Sequence, residues 1–175
     1  MTNLATFLVE SAAVRGDRIA VRHDDSTLTY AQLDEASARV ATLLRVRGLQ
    51  PGDRIALTMP NVPLFPVLYY GVLRAGGVVV PMNPLLKARE VAFTLRDCGA
   101  RIALAFPPFA DEVAKACAET GTVCLVTEPG TFEEMLRACE PMPGIADRSG
   151  DDPALILYTS GTTGSRRAPN CRIAT

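Results

Sequence analysis

Short segments that are apolar on both faces recur along the chain, and they alternate with longer segments of helical periodicity. Three of the apolar segments are RIALTM at 54–59, VVVPM at 78–82 and RIALAF at 101–106. A strand that is apolar on both faces belongs in a parallel sheet, because helices cover both sides of such a sheet. The sequence therefore predicts an α/β fold with helices on a mainly parallel sheet.

The segments between the predicted strands supply the covering helices. Apolar residues at helical spacing predict an opening helix over 4–15 and a strong helix over 31–48, which Gly48 closes. The same spacing predicts further helices over 62–77, 86–100, 109–120 and 131–140. In the third helix we expect Phe65, Leu68, Tyr69 and Val72 to be core and not an acyl pocket.

Two further strands and a linker complete the prediction. RIAVRH and LTY read as short strands around a turn at 24–26, and TVCLVT over 122–127 reads as another strand. A linker rich in Pro, Gly and Asp over 141–153 leads to a last strand, ALILYTS, over 154–160. The AGG triplet at 75–77 is expected to allow close helix–strand packing, and Asn83-Pro84 is expected to be a strand-end turn.

Composition excludes several classes of function. The 175 residues suffice for one domain, and a formal net charge of −1 without a basic stripe argues against nucleic-acid binding. The first residues lack a signal-peptide pattern, and the longest uncharged run is too short to span a membrane. We therefore expect a soluble cytoplasmic protein without a transmembrane segment.

The cysteines and the histidine give weak signals of chemistry. The five cysteines are odd in number and show no C-x-x-C spacing, so most are expected to be small buried hydrophobes. The single histidine, His23, lies beside the turn-like HDDS and is expected at the surface or at a strand end.

The last predicted strand runs into a loop rich in glycine and hydroxyl groups, TSGTTG at 159–164. In open α/β sheets ligands bind beyond the carboxyl ends of strands, and hydroxyls with backbone N–H groups are the donors that a polyphosphate needs. A Walker A loop fails here because Arg166 and not Gly-Lys stands at the required spacing, and a dinucleotide fingerprint fails because Thr163 follows Gly161 by two residues. Composition alone leaves open a hydroxyl-rich turn without a ligand.

YTSGTTG at 158–164 resembles the phosphate-binding loop of the adenylate-forming enzymes, which include acyl-CoA synthetases, adenylation domains of peptide synthetases and luciferases. Three other segments resemble that family in order and spacing, over 28–57, 59–86 and 89–104. The resemblance covers nearly all of residues 1–164, and it implies that they form the N-terminal portion of an AMP-binding domain.

The resemblance also implies roles for the loop. Members of this family convert ATP and a carboxylate to an acyl-adenylate and pyrophosphate, and a thiol, commonly coenzyme A, then displaces AMP. Thr162 matches a threonine that helps to hold Mg²⁺, and no catalytic residue is assigned in this chain. The residues that match the loop around the ATP β- and γ-phosphates are Thr159, Ser160, Gly161, Thr162, Thr163 and Gly164.

The resemblance ends after Gly164. Where the family continues with Pro-Lys-Gly, this chain has Arg166, Arg167 and Ala168, and its remaining residues have no apolar periodicity. We therefore expect 165–175 to be an aberrant, disordered tail. Residues 166–175 can be written in codons that, after one added cytosine, translate as PKGAELSHRN. That decapeptide is what the resemblance implies at this place, which suggests a frameshift. The later acidic, Asp, Arg and Lys motifs of the family are unmatched.

The resulting hypothesis is a truncated acyl-CoA ligase for a fatty or other hydrophobic carboxylic acid, inactive by itself. Its small-molecule partners in the full-length family are the carboxylate, ATP and coenzyme A. Two alternatives stay open: a stand-alone binding or regulatory module, and a fragment of an adenylation domain that loads a carrier protein.

Overall fold

Two sheets organise the part of the chain that the structure describes. The computed structural model describes residues 3–158 and 170–171. Its strands are β1 (Ile19–His23), β2 (Ser26–Thr29), β3 (Arg54–Thr58), β4 (Val78–Met82), β5 (Ala100–Ala105), β6 (Val123–Val126), β7 (Leu155–Ile156) and β8 (Asn170–Cys171). Strands β1 and β2 form an antiparallel hairpin, and the other strands form one sheet in the order β6-β5-β3-β4-β7-β8.

The larger sheet is mainly parallel, as the sequence predicts. Strand β3 pairs in parallel with β4 and β5, β4 pairs in parallel with β7, and β5 pairs in parallel with β6. Strand β8 runs antiparallel to β7. Of the predicted tail, 165–175, only the two residues of β8 are described, and the predicted disorder of the rest lies outside the described residues.

Helices cover both faces of this sheet. Their bounds are α1 (Ala5–Arg15), α2 (Tyr30–Val46), α3 (Leu64–Arg74), α4 (Ala88–Cys98), α5 (Ala110–Thr120) and α6 (Thr131–Arg137). Alternate residues of one strand enter opposite layers: Ile55 and Leu57 of β3 pack with α1, α2, α3 and α6, whereas Ala56 packs with α4 and α5. This alternation explains why the strands are apolar at every position.

Small residues let the helices approach closely. A Cβ at Gly71 of α3 would lie 2.4 Å from Val40 Cγ1 of α2, so the two helices touch at this glycine. A Cβ at Gly77 would lie 2.9 Å from Val72 Cγ1, which confirms that the AGG triplet serves helix–strand packing. Leu68 and Val72 are fully buried, and Phe65 and Tyr69 are half-buried against the same layer, as predicted for a core stripe.

The described part of the last strand is shorter than predicted. The sequence predicts a strand over 154–160, but within residues 154–158 only Leu155 and Ile156 form β7, and residues 159 and 160 lie outside the described part. The Val79 N–H donates to the Ala154 carbonyl at 2.9 Å, and the next residue of β4 that faces β7 is Pro81. Proline has no N–H to donate, so the ladder between β4 and β7 stops there.

Several helix bounds differ from the prediction by a few residues, and two of these differences have local reasons. Helix α6 ends at Arg137 and not at residue 140, because Pro141 disfavours helical backbone at Glu140. Tyr30 begins α2 and does not end a strand, because Thr29 caps that helix. The Thr29 hydroxyl accepts the Gln32 N–H at 3.2 Å, and the Gln32 side chain accepts the Thr29 N–H at 2.9 Å.

A buried arginine fixes the segment 141–153, which the sequence predicts as a linker. Arg74 is 4% exposed, and its guanidinium pairs with the Asp34 carboxylate at 2.9 Å. It also donates to the Gly144 carbonyl at 3.1 Å and to the Asp34 carbonyl at 2.7 Å. Asn3 donates to the Leu73 and Ala146 carbonyls at 2.8 and 3.0 Å. This segment is therefore packed onto α2 and α3.

The structure also describes the histidine, the Asn83 turn and four of the cysteines. His23 ends β1, and its side chain is 44% exposed. Asn83 forms the predicted strand-end turn, since its side chain accepts the Leu85 N–H at 2.9 Å. Among the described cysteines, Cys98 and Cys117 are buried, and Cys124 and Cys139 are half-buried.

Candidate phosphate-binding site

The predicted loop, Thr159 to Gly164, lies outside the described residues, and so does the predicted metal-binding residue Thr162. The structure describes the strand that leads into the loop. Strand β7 runs parallel to β4, with Leu155 opposite Val79. The direction of β7 carries Leu157 and Tyr158 toward the carboxyl edge of the parallel sheet, which is where α/β proteins bind ligands.

Tyr158 is anchored directly before the predicted loop. Its hydroxyl donates to the Asp97 carboxylate, with an O–O distance of 2.6 Å. Burial, followed by this hydrogen bond, raises the pKa of the Tyr158 phenol well above its ordinary value. The phenol therefore stays protonated and remains a donor, so the chain has a fixed point one residue before Thr159.

Asp97 is itself held by the end of α4. It occupies the last turn of that helix, and Gly99 ends the helix in the left-handed conformation with φ +63°. The Arg54 guanidinium of β3 donates to the Cys98 carbonyl at 2.6 Å. This contact ties the end of α4 to the sheet, so the partner of Tyr158 sits on a rigid element.

Sequence reasoning missed Asp97, although one signal pointed to it. An acidic residue in the last turn of a helix is unfavourable, because the carbonyl end of the helix carries partial negative charge. Asp97 stands at that position of α4, and its hydrogen bond with Tyr158 supplies the partner. A carboxylate at a helix C-terminus therefore predicts a hydrogen-bond donor on a neighbouring element.

A second polar site at the carboxyl edge is unsuited to phosphates. A groove of about 450 Å³ lies between the loops after β4 and β5, and its lining includes Leu86, Lys87, Phe109, Asp111 and Glu112. Lys115 first, and then the Ala88 N–H, hold the pKa of the Glu112 carboxyl below its ordinary value. Glu112 accepts that N–H at 2.9 Å, so an ionised carboxylate already occupies the N-terminus of α4 and would repel a phosphate.

One buried hydroxyl at the carboxyl edge has no partner among the described residues. Thr58 ends β3, is 1% exposed, and its Oγ1 makes no hydrogen bond. By contrast, the Thr127 hydroxyl at the end of β6 donates to the Ala105 carbonyl at 3.2 Å.

Neither a metal cluster nor a membrane helix occurs in the described ranges. No group of three or more His, Cys, Asp or Glu side chains within residues 3–158 could hold a metal ion. None of the described helices has the length and apolar character to cross a bilayer.

Comparison with known proteins gives a family match over most of the chain. A family model described as AMP-binding enzyme matches residues 8–167. A long-chain-fatty-acid–CoA ligase of Mycobacterium tuberculosis, FadD13, is 36% identical over 170 residues, which are 94% of this chain and 34% of that protein. Surfactin synthase subunit 1 of Bacillus subtilis is 35% identical over 155 residues, or 89% of this chain and 4% of that protein.

A solved structure also matches the fold. ATP-bound MatB from Rhodopseudomonas palustris superposes with a TM-score of 0.85 at 31% identity, covering 95% of this chain and 34% of that one. The chain thus spans about a third of the length of the curated ligase and of the solved structure that it matches.

Proposed function

Because this chain belongs to the AMP-binding enzyme family, we propose that it carries the phosphate-binding part of an AMP-forming acyl-CoA ligase. In the proposed reaction a carboxylic acid attacks the α-phosphate of ATP, which gives an acyl-adenylate and releases pyrophosphate. The thiol of coenzyme A then attacks the acyl carbon and releases AMP.

The observation that supports this proposal most is that β7, a strand of the parallel sheet, leads in the sequence into TSGTTG. Strand β7 pairs with β4 and leads, through Leu157 and Tyr158, into residues 159–164. In the proposal the backbone N–H groups and hydroxyls of this loop bind the β- and γ-phosphates. Their task is electrostatic, because pyrophosphate gains charge as it leaves.

Residues of the loop take separate parts in the proposal. Gly161 and Gly164 let the phosphates approach the backbone closely, and the hydroxyls of Thr159, Ser160 and Thr163 donate hydrogen bonds. In the proposal the Thr162 hydroxyl would help to hold Mg²⁺, which would offset part of the negative charge of the phosphates.

The hydrogen bond between Tyr158 and Asp97 gives the loop a fixed start. A loop that binds a polyanion must be ordered, and ordering one residue costs about 1–2 kcal/mol of backbone entropy. Anchoring the residue before Thr159 to α4 removes part of that cost before the ligand arrives. Asp97 and Tyr158 thus belong to the proposed site as positioning residues.

The substrate class follows from the relatives. Similarity to a long-chain-fatty-acid–CoA ligase supports a fatty or other hydrophobic carboxylate, and the ATP-bound neighbour supports ATP as the nucleotide. A role in fatty-acid metabolism and a cytoplasmic location, where ATP and coenzyme A are available, belong to the same proposal.

A second candidate function, an adenylation domain that loads a carrier protein, is supported by similarity to surfactin synthase subunit 1. In that case the acyl group passes to a carrier protein and not to coenzyme A. The two candidates share the adenylate step and the loop, and they differ in the thiol that accepts the acyl group. Supplying either coenzyme A or a carrier protein to the complete enzyme separates them.

We include the frameshift in the proposal. The family model matches through residue 167, and Arg166, Arg167 and Ala168 stand where the family has Pro-Lys-Gly. The nucleotide sequence tests this idea directly. An AGR codon for Arg167 and a long downstream frame with the later family motifs, opened by one added base near codon 165, are expected. A CGN codon at Arg167 contradicts the frameshift and leaves the ligase proposal intact.

A hybrid enzyme tests the ligase proposal. Residues 1–164 would replace the matching segment of a complete acyl-CoA ligase, and ATP–pyrophosphate exchange would be measured with a panel of carboxylates. We expect exchange in the hybrid. Thr163→Ala should lower the exchange rate by about 10²–10³-fold, the loss typical of removing one hydrogen-bond donor that faces a developing negative charge.

The matched control is Thr27→Ala, a change at an exposed threonine of β2. This hybrid should keep its exchange rate. A folded hybrid without exchange, or one in which Thr163→Ala has no effect, contradicts the proposed role of the loop. The 175-residue chain alone should give no exchange above a heat-inactivated sample.

A further inference from the structure

Strand β6 leaves the larger sheet with an open edge. It is the terminal strand on its side of the sheet, and among the described residues it pairs with β5 alone. The segment TGTVCLVT at 120–127 contains neither a charged residue nor a proline, and the ladder between β5 and β6 has no bulge. Proteins use charges, prolines and bulges to keep an edge strand from pairing with another chain. This edge has none of these devices.

Alternate residues of β6 point their backbone groups out of the sheet. The Thr127 N–H donates to the Ala105 carbonyl of β5 at 2.9 Å, so the backbone of Thr127 faces β5. Backbone direction alternates along a strand, which means that Leu125 also faces β5. Cys124 and Val126 therefore direct their N–H and C=O groups away from the sheet, where no described residue bonds to them.

The outward positions on either side of these two residues are already bonded within the chain. The Thr122 N–H donates to the Cys117 carbonyl at 3.2 Å, and the Glu128 carbonyl accepts the Phe132 N–H at 2.9 Å. Along the described edge, a partner strand therefore finds both a free N–H and a free C=O only at Cys124 and at the next outward residue.

These two free residues fix one register for a second copy of the strand. In an antiparallel pair about a two-fold axis, Cys124 lies opposite the partner's Val126, and Leu125 lies opposite the partner's Leu125. Each free N–H then meets a free C=O, which gives four hydrogen bonds between the copies. The nearest charged residue after the strand, Glu128, lies opposite the partner's Thr122, so no like charges meet along the strands.

Helix α5 has a small, uncharged flank at the same edge. Glu112 accepts a backbone N–H of α4 at 2.9 Å and Glu119 pairs with Arg96 of α4, so both glutamates face α4. At about 3.6 residues per turn, Ala114 and Ala118 lie on the side of α5 that is turned away from α4. Both alanines are exposed, and β6 is the last strand on that side. A second helix can approach this flank closely without desolvating a charge.

We propose that the edge of β6 and the alanine flank of α5 form a self-association surface, on which a second copy of this chain docks as a symmetric dimer. The paired β6 strands join the two sheets into one, and the two α5 helices meet at Ala114 and Ala118. A two-fold interface must be self-complementary, and this edge meets that condition in its hydrogen bonds and its charges. The surface is independent of the proposed ligase site, since β5, β3 and β4 separate β6 from β7.

The mass of the unaltered chain in solution tests the proposal. Sedimentation velocity over a range of concentrations should show a reversible rise from the mass of one 175-residue chain to the mass of two. The rise should stop at two chains, because a two-fold axis closes the pair. A monomer at every concentration, or a mass that grows without stopping at two chains, overturns the proposal.

Two substitutions test the two parts of the surface. The Val126 N–H points away from β5, so Val126→Pro removes no bond within the chain but two of the four between the copies, and a folded monomer is expected. Ala114→Glu brings like charges together and should weaken the dimer by about tenfold or more. Ala13→Glu, at an exposed alanine of α1, is the matched control and should leave the dimer unchanged. Unchanged affinity in both Val126→Pro and Ala114→Glu contradicts this surface.

A cross-link tests the register. Val126→Cys places a thiol opposite the partner's Cys124, and the Cα atoms of such a pair are about 5.5 Å apart, within the reach of a disulfide. Mild oxidation should give a covalent dimer that reduction returns to single chains, and adding Cys124→Ser should abolish it. Val46→Cys, at a valine that is 76% exposed on α2, is the matched control. Equal cross-linking of Val46→Cys and Val126→Cys contradicts the register.

Discussion

At the scale of single residues, the contact between Tyr158 and Asp97 joins two parts of the chain that are 61 positions apart. Tyr158 is the last described residue before the predicted loop, and Asp97 stands at the end of α4. A phenol that donates to a carboxylate loses this bond when it ionises, because two anions then face each other. The contact is therefore sensitive to high pH.

The first prediction concerns that pH dependence. Burial and Asp97 raise the pKa of Tyr158 above 10.0, its ordinary value. A raised folded-state pKa contributes stability that is fully present below pH 10 and is lost as the pH rises above it, since the unfolded phenol then ionises first. The free energy of unfolding of the wild type should therefore fall above pH 10 more steeply than that of Tyr158→Phe.

Denaturant unfolding of both proteins at a series of pH values measures the difference. Near pH 7 the variant should lose about 0.5–1.5 kcal/mol, as for one hydrogen bond. Tyr30→Phe is the control for a general effect of tyrosine ionisation. Parallel pH profiles of the wild type and Tyr158→Phe contradict the role given to Asp97.

The residue scale also shows why the site was only partly predictable. The loop at 159–164 is recognisable because its residue types and order are contiguous. The anchoring pair is not recognisable in the same way, because Asp97 and Tyr158 meet only after α4 folds onto the sheet. Contacts of this kind depend on tertiary packing, which local spacing does not report.

At the scale of elements, the approach of α2 to α3 depends on one glycine. A Cβ at Gly71 would lie 2.4 Å from Val40 Cγ1 and 3.1 Å from the Ser37 carbonyl oxygen. Val40 is 1% exposed and cannot move aside without disturbing the core. The spacing between these helices is thus set by the absence of a side chain at residue 71.

The second prediction follows from that contact. Gly71→Ala should destabilise the chain by about 1–3 kcal/mol, since an added methyl group in a packed core forces backbone shifts. Val40→Ala in the same chain should relieve part of this loss, so the two substitutions should be non-additive. Thermal unfolding of the four proteins of the double-mutant cycle measures the coupling, and strict additivity would place the strain elsewhere.

The third prediction concerns the segment 141–153. Arg74 joins α2, α3 and Gly144 through its buried guanidinium. Arg74→Met leaves the Asp34 carboxylate without its cation and should lower the free energy of unfolding. Removing one partner of a fully buried pair costs about 3–5 kcal/mol. The loss should be smaller here, because the Asp34 side chain is partly exposed. Arg96→Met, which breaks an exposed pair with Glu119, should change the unfolding free energy by about 1 kcal/mol or less.

A local readout identifies the cause. Amide hydrogen exchange at Ala146 should rise selectively in Arg74→Met, because the Ala146 N–H donates to the Arg74 carbonyl at 2.8 Å within the same contact. Uniform loss of protection over all elements would mean that Arg74 stabilises the core in general and does not hold this segment.

The order and type of the elements were predictable because the apolar pattern is strong. Each predicted helix and strand within residues 3–158 is present. The errors lie where a single residue intervenes: Pro81 removes the donor that β7 needed, and Pro141 ends α6 early. The buried role of 141–153 was not predictable, because a composition rich in Pro, Gly and Asp is also typical of free linkers.

At the scale of the whole described molecule, one sheet separates two apolar layers of different character. The layer with α1, α2, α3 and α6 contains most of the large buried side chains, whereas the layer with α4 and α5 is rich in Ala and Val. Adjacent residues of the same strands supply both layers. Neither layer can therefore lose its packing without disturbing the strands that support the other.

The fourth prediction is that both layers unfold in a single cooperative transition. Leu68→Ala in one layer and Leu95→Ala in the other remove the same atoms from side chains that are 0% and 1% exposed, and each should cost about 2–5 kcal/mol. Each substitution, made in a Tyr158→Phe chain, should shift the unfolding midpoint by the same amount whether it is followed by fluorescence of the remaining tyrosines, which pack in the first layer, or by reaction of the buried Cys98 thiol.

These reporters lie in different layers, so coincident transitions indicate one folding unit. Leu85→Ala, at a leucine that is 73% exposed, is the matched control and should change the unfolding free energy by about 0.5 kcal/mol or less. If Leu95→Ala exposes Cys98 early and leaves the tyrosine transition in place, then α4 and α5 form a separate unit. The Tyr158 anchor on α4 would then be lost before the rest of the fold.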